Sequence, residues 1–427
     1  MPIIKKDRVT TIKRLSLVTL LCLLQGFSSL ASYGEDLEVL HWWTSDGERA
    51  AALYLQDTLA EQGITWVDAA IPGGGGEGAM AVLKSRVLQG AAPAAAQIIG
   101  PDIQNWAALG FLGHFNIVAL AHDWPNILHP TVNQLLQYQG QYVAVPFGIH
   151  RINGLWVNRA LLAETGLAVP QHWDEFFTLA EKFQAMGVIA LVHGNEPWQN
   201  ATLFETLVLS VGGPSLYRAV FEQLDETAIL SDSFAQALSL LSQLKGLMDP
   251  EINGRTWPQA TRLLADGQAG MQIMGDWVGG ELTAWQASDR VLCASVPETA
   301  EEHLYSIDTM VMFKNLAVSS YQGQLNFAET MTRTDVQLNY NRLKGSVPVR
   351  LDIEPEALSD CAQISYRLFK ANQAQGTLAP SLAHSMVATA EVEDVFVKVI
   401  HEFFQTPNRP VLQVQQELVR NLKSIRK

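Results

Sequence analysis

The chain is poor in cysteine, in positive charge and in long apolar runs, and each shortage excludes a class of function. Only three cysteines occur in 427 residues, without a Cys-x-x-Cys pair, which argues against a thiol redox centre or a cysteine-rich zinc site. Lys and Arg number 29 against 43 Asp and Glu, for a net charge of −14, so the surface repels nucleic acid and anionic lipid. Beyond residue 31 no apolar run is long enough to cross a bilayer.

The first 31 residues have the layout of a secretory signal peptide. Basic residues between Lys5 and Arg14 precede an apolar run from Leu15 to Leu24, and a Ser-Ser-Leu-Ala stretch then ends at Ala31. The apolar run is about half the length needed to span a bilayer, which disfavours a permanent anchor. We expect cleavage near Ala31 and a periplasmic mature protein.

Removal of residues 1–31 leaves 396 residues, with 24 basic and 42 acidic side chains and a net charge of −18. This length exceeds what one hydrophobic core normally supports, so we expect two domains. Cys293 and Cys361 are the cysteines that remain. An even pair in an oxidising compartment predicts a single disulfide.

Strand and helix patterns alternate along the chain. The first set predicts strands at 37–43, 64–70 and 94–99 with helices at 48–59 and 79–88, and a second set follows between residues 154 and 248. The order of the first set predicts a mainly parallel sheet with helices on both faces, and the second set indicates a second α/β lobe. Ligands bind beyond the carboxyl ends of such strands, so the residues after 40 and after 98 are candidate site segments. A further strand at 307–313 implies that the chain passes between the domains more than once.

Two motifs do not support catalysis or metal binding. The glycine-rich run at 73–78 lacks the Lys-Ser/Thr pair of a phosphate loop, and we interpret it as a flexible turn beside a neighbour or ligand. His122 and His129 lack the spacing of a metal site and are interpreted as surface-loop histidines. Without a Gly-x-Ser-x-Gly elbow there is no nucleophile of that hydrolase class. We therefore expect no metal and no cofactor.

Tryptophan is the strongest compositional clue, with 11 residues. A pyranose ring has an apolar face and a belt of hydroxyls, so a sugar site needs aromatic rings for the face and charged or amide groups for the belt. Trp42 and Trp43 with Glu48, and Trp277 after Asp276, provide that combination. Each tryptophan could equally be an ordinary core residue, but these positions favour a site.

Four ordered segments resemble the family 1 extracellular solute-binding proteins, and within them the glucose-binding branch. They are WWTSDGE at 42–48, AGMQIMGDW at 269–277, SIDTM at 306–310 and KGSVPVR at 344–350. The resemblance covers almost the whole mature chain. It implies an α/β, two-lobed periplasmic binding protein fold with a hinge, of the maltose-binding-protein-like type II. We expect an N-terminal lobe at 35–145 and 306–342 and a C-terminal lobe at 146–305 and 343–427.

The resemblance also implies a function and a site. Such proteins close on one sugar without changing it and deliver it to the inner-membrane permease of an ABC importer; we expect a monomer that binds no nucleic acid. Residues that match the sugar site of that branch are Trp42, Trp43, Glu48, Trp277, Asp308, Lys344 and His384. Positions that match less closely are His150, Asn153, Trp198, Gln199 and Ile99.

Two departures bear on which sugar is bound. Ile99 lies where the glucose binders have a cationic or polar ligand, and Ser385 follows His384 in place of a glycine. A glucose hydroxyl facing Ile99 would lack a partner, so we expect glucose not to be the preferred sugar. The alternative is that Gln97 or an ordered water replaces the missing contact.

Two other functions stay open at this stage. A secreted glycosidase would use Glu48 and Asp308 as its carboxylate pair, although Lys344 would place a cation in the same site. A periplasmic sugar sensor would dock on a receptor kinase instead of a permease.

Overall fold

The structure is a computed structural model that describes residues 35–73, 76–314 and 318–425. The predicted signal peptide at 1–31, and Gly74 and Gly75 of the glycine-rich run, lie outside the described residues.

The strands and helices follow one another in chain order. The first part of the chain forms β1 (Glu35–His41), α1 (Asp46–Ala60), β2 (Ile64–Ala70), α2 (Glu77–Leu88), β3 (Ala95–Gln97), α3 (Asp102–Ala108), α4 (Asn116–Ala121), α5 (Trp124–Ile127), α6 (Pro130–Leu135), β4 (Gln137–Tyr138), β5 (Gln141–Tyr142) and β6 (Ala144–Arg151). The middle part forms β7 (Gly154–Asn158), α7 (Arg159–Thr165), α8 (Trp173–Ala185), β8 (Ile189–Leu191), α9 (Pro197–Phe221), α10 (Glu226–Ile229), α11 (Asp232–Lys245), α12 (Trp257–Ala265), β9 (Ala269–Ile273), α13 (Trp277–Ala284) and β10 (Val291–Ser295). The last part forms β11 (Leu304–Met312), α14 (Val318–Met331), α15 (Thr334–Lys344), α16 (Asp360–Gln375), β12 (Ala379–Pro380), α17 (Ala390–Gln405) and α18 (Val411–Ile425).

The first sheet contains the strands predicted at the start of the chain. Strand β1 lies between β2 and β3 and is parallel to both. Strand β11 continues the sheet beside β3 in the antiparallel sense, and it also pairs with β6 and β12. The prediction of a parallel unit is confirmed for β1, β2 and β3, because helices α1 and α2 provide the crossovers.

The second sheet has the order β10-β7-β9-β8. This sheet is mixed, because β7 is antiparallel to both of its neighbours and, within the sheet, only β8 and β9 are parallel. The physical reason is that β7 enters from the other sheet through a short turn after β6, and not through a helical crossover.

Two separate hydrophobic cores accompany the two sheets. The first contains side chains between Leu37 and Ile149 and others between Tyr305 and Leu378. The second contains side chains between Ile152 and Val296, and helices α17 and α18 add side chains from Val392 to Leu422. The chain is therefore folded as two lobes, each built from discontinuous segments.

The lobe boundaries predicted from the sequence differ from the division between these cores at one segment. Residues 343–427 are predicted as part of the C-terminal lobe, yet Val347, Val349, Tyr366 and Phe369 pack in the first core. We propose that residues 347–378 belong to the first lobe and that the second lobe resumes near Leu382. On this division the chain crosses between lobes at β6, before β11 and after α16.

The predicted disulfide is confirmed, and on the lobe division proposed above it joins the two lobes. Cys293 lies on β10 of the second sheet, and Cys361 lies in the first turn of α16. Their Cα atoms are 6.0 Å apart. Because Phe369 anchors α16 in the first core, the bond ties an edge strand of one lobe to a helix of the other.

His129 corrects one interpretation from the sequence. Its side chain is fully buried against the rings of Tyr366 and Phe369, and it is not on the surface. Helix α16 covers the segment that contains it, and the burial lowers the pKa of His129 to about 4. His122 is partly exposed, as expected, and lies 3.5 Å from Glu329. Within the described ranges no helix is long and apolar enough to cross a membrane.

Candidate functional site

A cavity of about 540 Å³ lies between the two lobes and collects most of the predicted site residues. The predicted residues that line it are Trp42, Glu48, Ile99, His150, Trp198, Trp277, Asp308, Lys344 and His384. They come from both lobes and from segments far apart in sequence. The cavity is thus where the fold brings together the residues that the sequence patterns single out.

Three predicted residues lie outside the lining of this cavity. Trp43 is 1% exposed and packs against Phe147 and Tyr340 in the first core. Asn153 is buried at the crossing between lobes, where its amide bonds the Thr299 hydroxyl at 3.1 Å. Gln199 is buried in the first turn of α9 and donates to Glu196 at 2.5 Å.

The first lobe supplies Glu48 through the start of helix α1. Ser45 is the N-cap, and Glu48 completes a capping box in which its Oε2 accepts from the backbone N–H groups of Thr44 and Ser45. This leaves Oε1 to receive the ammonium of Lys344 at 3.2 Å. One carboxylate oxygen therefore fixes the helix end while the other faces the cavity network.

Lys344 is the last residue of α15 and is almost fully buried. Its Nζ lies 3.2 Å from Glu48 Oε1 and 3.9 Å from Asp308 Oδ2, and 5.9 Å from the centroid of the Trp43 ring. Burial alone would lower the pKa of Lys344, but the two carboxylates outweigh it and raise the pKa. Lys344 is therefore a fixed cation at neutral pH.

Asp308 lies on strand β11, and polar groups of neighbouring strands hold its carboxylate. Pairing with β6 shifts register between Asp308 and Thr309, a bulge of the kind that redirects a side chain from its regular face. Its Oδ1 accepts from Gln97 Nε2 at 3.2 Å, and its Oδ2 lies 3.3 Å from His150 Nε2. Burial would raise the pKa of Asp308, but Lys344 and His150 together lower it. Asp308 is consequently an ionised acceptor.

The second lobe contributes three tryptophans that all lie in the first turn of a helix. Trp198 is the second residue of α9, and Trp257 and Trp277 are the first residues of α12 and α13. The Trp277 ring lies 6.3 Å from each of the other two and 5.1 Å from the ring of His384. Helices α9 and α13 follow β8 and β9 and so begin at the carboxyl edge of the sheet, where ligands bind, and the start of α12 brings Trp257 to the same place.

Two of these indoles carry buried N–H groups without a partner. Within the described residues, Nε1 of Trp198 and Nε1 of Trp277 have no hydrogen-bond acceptor. A buried donor is normally paired, because an unpaired one costs about 1–3 kcal/mol. Both tryptophans line the cavity, so the acceptor oxygens of a ligand or water are candidate partners for these donors.

Sequence reasoning did not identify Trp257 or Glu196, both of which line the cavity. The sequence around Trp257 indicates a helix start but not a ligand site. Thr256 forms a capping box with Gln259, and Pro258 lies in the first turn of α12. Glu196 likewise precedes Pro197 at the start of α9. A tryptophan in the proline-containing first turn of a helix is the pattern that Trp198 and Trp257 share.

The His384 loop, residues 381–386, closes one end of the site. Glu205, buried in α9, accepts from the Ser381 hydroxyl at 2.6 Å and from the Leu382 N–H at 2.6 Å. Ser381 Oγ also lies 2.9 Å from His384 Nδ1. A Cβ on Gly100, in the first lobe, would overlap the carbonyl oxygen of Ser385. The loop is therefore anchored in one lobe and packed against the other.

Two described residues of the glycine-rich run, Gly73 and Gly76, lie beside the cavity or its lining, as the interpretation of a turn beside a neighbour or ligand predicts. Gly73 lines the cavity next to Pro72, and Gly76 has a φ of 81°. A Cβ on Gly76 would lie 3.0 Å from the Trp42 ring. Glycine at this position lets the backbone pass directly against Trp42.

Comparison with known proteins links this geometry to one family. Residues 57–363 match the family described as bacterial extracellular solute-binding protein. A relative from Brucella suis biovar 1 (strain 1330), named "Probable sugar-binding periplasmic protein", is 36% identical over 386 residues, which is 90% of this chain and 91% of the relative.

Solved structures share the fold at low sequence identity. The bacterial solute receptor AcbH, described as having an exclusive preference for β-D-galactopyranose, matches with a TM-score of 0.77 and 16% identity over 92% of this chain and all of AcbH. Maltose-bound MalE3 of T. maritima matches with a TM-score of 0.74 and 16% identity, over 91% of this chain and 99% of MalE3. The predicted maltose-binding-protein-like, two-lobed fold is confirmed.

Proposed function

The chain belongs to the bacterial extracellular solute-binding proteins, and from this membership we propose that it is a periplasmic receptor that captures a sugar between its lobes. The observation that carries the proposal is the composition of the interlobe cavity. Tryptophans of the second lobe face ionised groups of the first lobe across it. An aromatic wall opposite charged acceptors and donors suits a ring with an apolar face and a belt of hydroxyls.

Each side of the cavity has a part in binding. The carboxylates of Glu48 and Asp308 accept hydrogen bonds from hydroxyls, and the Lys344 ammonium donates to them, with the added strength of charge-assisted bonds. The indole N–H groups of Trp198 and Trp277 donate to hydroxyl or ring oxygens. Names of relatives that include sugar binding support this assignment.

Binding without chemistry is the second part of the proposal. A glycosidase needs one carboxylic acid with a raised pKa to protonate the leaving oxygen. The pKa of Asp308 is instead lowered, and Asp308 and Glu48 share the ammonium of Lys344. Asp308 is therefore not the raised-pKa acid that a glycosidase needs, which favours a receptor over a hydrolase.

The compartment and the partner follow from the family. Relatives with similar length are named as periplasmic proteins, which supports export of this chain, and the disulfide suits an oxidising compartment. We infer that the sugar-loaded form docks on the inner-membrane permease of an ABC importer.

A calorimetric and thermal-shift screen tests the proposal. The mature protein is titrated with hexoses, pentoses and disaccharides, and a true ligand raises the unfolding temperature because it binds only the folded state. Trp257→Ala should abolish the shift, because Trp257 lines the cavity. Trp173→Ala is the matched control, because Trp173 packs on the second core away from the cavity. A chain that binds no sugar in the panel, or a Trp257→Ala variant with unchanged affinity, would contradict the assignment.

A further inference from the structure

Building on the proposed sugar site, we propose that Asp276 is a positioning residue that holds the His150 ring against Asp308 and so fixes a sugar-binding carboxylate of one lobe to the other lobe. Asp276 does not line the sugar cavity, so its role differs from that of the residues that contact the sugar. It lies between β9 and α13, directly before Trp277.

Asp276 makes hydrogen bonds to the backbone at the point where the chain crosses between the lobes. Its Oδ2 accepts from the backbone N–H of Arg151 at 2.8 Å, and its own N–H donates to the Arg151 carbonyl at 2.9 Å. Its Oδ1 lies 2.5 Å from His150 Nδ1. Arg151 is the last residue of β6, after which the chain enters the second core at Ile152. The second lobe thus holds the end of a first-lobe strand through one carboxylate.

His150 faces a carboxylate oxygen with each ring nitrogen. Nδ1 meets Asp276, and Nε2 lies 3.3 Å from Oδ2 of Asp308. A neutral imidazole has one N–H, so only the protonated ring donates to both carboxylates. Asp308 and Asp276 are therefore linked by hydrogen bonds through His150 only while its ring is protonated.

The charged groups around His150 come from three elements. Asp276 precedes α13, Asp308 lies on β11, and Lys344 ends α15. The Trp277 ring packs against His150 in a T-shaped arrangement, with 5.5 Å between the ring centroids. Burial and Lys344 act to lower the pKa of His150, but Asp276 and the hydrogen bonds to both carboxylates outweigh them and raise the pKa to about 9. Charges then alternate in sign from Glu48 through Lys344, Asp308 and His150 to Asp276.

The bridge matters for binding because Asp276 and Trp277 are consecutive. Asp308 offers its oxygens to the sugar from the first lobe, while Trp277 offers its ring from the second. A fixed distance from Asp308 through His150 to Asp276 therefore fixes the spacing between the hydrogen-bonding and the stacking sides of the site. When His150 loses its proton, one of the two hydrogen bonds is lost, and the distance between Asp308 and Trp277 is no longer fixed.

The test compares wild type with Asp276→Asn. Histidine resonances are titrated by NMR without sugar, and sugar affinity is measured by calorimetry from pH 6 to pH 10. We expect the wild-type affinity to be level below pH 8 and to fall at least about tenfold through pH 9, the loss typical of a hydrogen bond to a charged group. In Asp276→Asn the His150 midpoint and the fall in affinity should move to lower pH together, by about one unit or more.

Two further variants make the result specific. Asp68→Asn is the control, because it removes a carboxylate 2.7 Å from His41 in a histidine–aspartate pair outside the cavity lining. It should change neither the titration midpoint of His150 nor the pH dependence of sugar affinity. His150→Gln cannot titrate, so its affinity should be lower at neutral pH and level from pH 7 to pH 10.

The outcomes that overturn the inference are distinct from failure of the proposed function. An Asp276→Asn variant whose affinity is reduced equally at every pH, or whose His150 midpoint does not move, would show that Asp276 has a structural role alone. The NMR titration needs no sugar. A wild-type chain that binds no sugar would therefore overturn the proposed function, while an unmoved midpoint would overturn the bridge.

Discussion

Trp43 and Trp277 have the same ring and are both more than nine-tenths buried, yet they have different surroundings. Trp43 is enclosed by first-lobe aromatic rings, whereas one side of Trp277 borders the cavity. We expect Trp277→Ala to weaken sugar binding by about 2 kcal/mol or more, as truncation of a central anchor does. Trp43→Ala should instead lower the free energy of unfolding by about 3–5 kcal/mol. Calorimetry and urea unfolding of both variants check this, and equal losses of affinity with unchanged stability would contradict it.

Ile99 tests which sugar the site prefers. It lines the cavity with an apolar side chain, and its neighbour Gln97 is already engaged: its amide donates to Asp308, and its oxygen accepts from the Trp42 N–H. Gln97 is therefore not free to replace the polar group that Ile99 lacks. We expect glucose to bind more weakly than another sugar of the panel, by about 1–3 kcal/mol for one unpaired hydroxyl.

Ile99→Lys should improve glucose binding relative to the preferred sugar, and Ile99→Met is the control of similar volume without a donor. Competition calorimetry with both sugars gives the ratio of their dissociation constants directly. A wild-type protein that prefers glucose over every other sugar tried would show that the argument from Ile99 is wrong.

The loops that carry Gly100 and His384 meet across the cleft, and Gly100 tests that contact. It has a φ of 61°, and a side chain there would collide with the Ser385 carbonyl. Gly100→Ala should therefore displace the His384 loop and weaken sugar binding by about tenfold or more, since about 1.4 kcal/mol corresponds to one factor of ten. Gly110→Ala is the matched control: Gly110 has a φ of 81°, but no atom of the described residues lies within 4 Å of the place that its Cβ would occupy.

Affinities of both glycine variants by calorimetry, with unfolding temperatures, separate backbone strain from the contact. Both substitutions place a side chain at positive φ and share that backbone strain, whereas only Gly100→Ala adds the collision with Ser385. If Gly110→Ala weakens binding as much as Gly100→Ala does, the loop contact has no role in the site.

Elements whose pattern is local could be predicted, and contacts set by the fold could not. Strand β2 at 64–70 matches its prediction because the run is short and mostly apolar, and its burial alternates from Ile64 to Val67 as in a half-buried strand. Consecutive residues of an extended chain point in opposite directions, so only one of Trp42 and Trp43 can face the cavity. The sequence does not say which one does. Packing of the strand end decides in favour of Trp42.

The remaining differences arise from long-range packing. Helix α16 lies late in the chain but returns to the first core, which no local pattern of residues 360–375 indicates. The same return buries His129 and makes the disulfide an interlobe bond. Asp276 gives a similar case: its neighbour Trp277 is recognisable from the sequence, whereas its pairing with His150, 126 residues away, exists only in the fold.

For the molecule as a whole, the disulfide limits how the two lobes move. Cys293 and Cys361 are separated by 68 residues, and closing a loop of that length stabilises a protein by about 4 kcal/mol on the chain-entropy estimate. We expect the double variant Cys293→Ser, Cys361→Ser to unfold at lower denaturant concentration. Because the bond crosses between lobes, the sugar-free variant should also show a larger radius of gyration in small-angle scattering. Thiol titration under denaturing conditions gives the control, since two free thiols in the oxidised wild type would rule out the bond.

The interrupted first lobe has a consequence for the order in which the protein is made. Its core needs both residues 37–149 and residues 305–378, with the whole second-lobe segment up to Val296 between them. At a synthesis rate of about 5–20 residues per second, roughly ten seconds or more separate the appearance of the two parts. During that time β3 and β6 lack their partner β11, and the first core lacks the side chains of α14, α15 and α16. A translocation machine or a chaperone therefore meets an unfinished chain, and because the second core also takes side chains from Val392 to Leu422, neither lobe has all of its segments until late in synthesis.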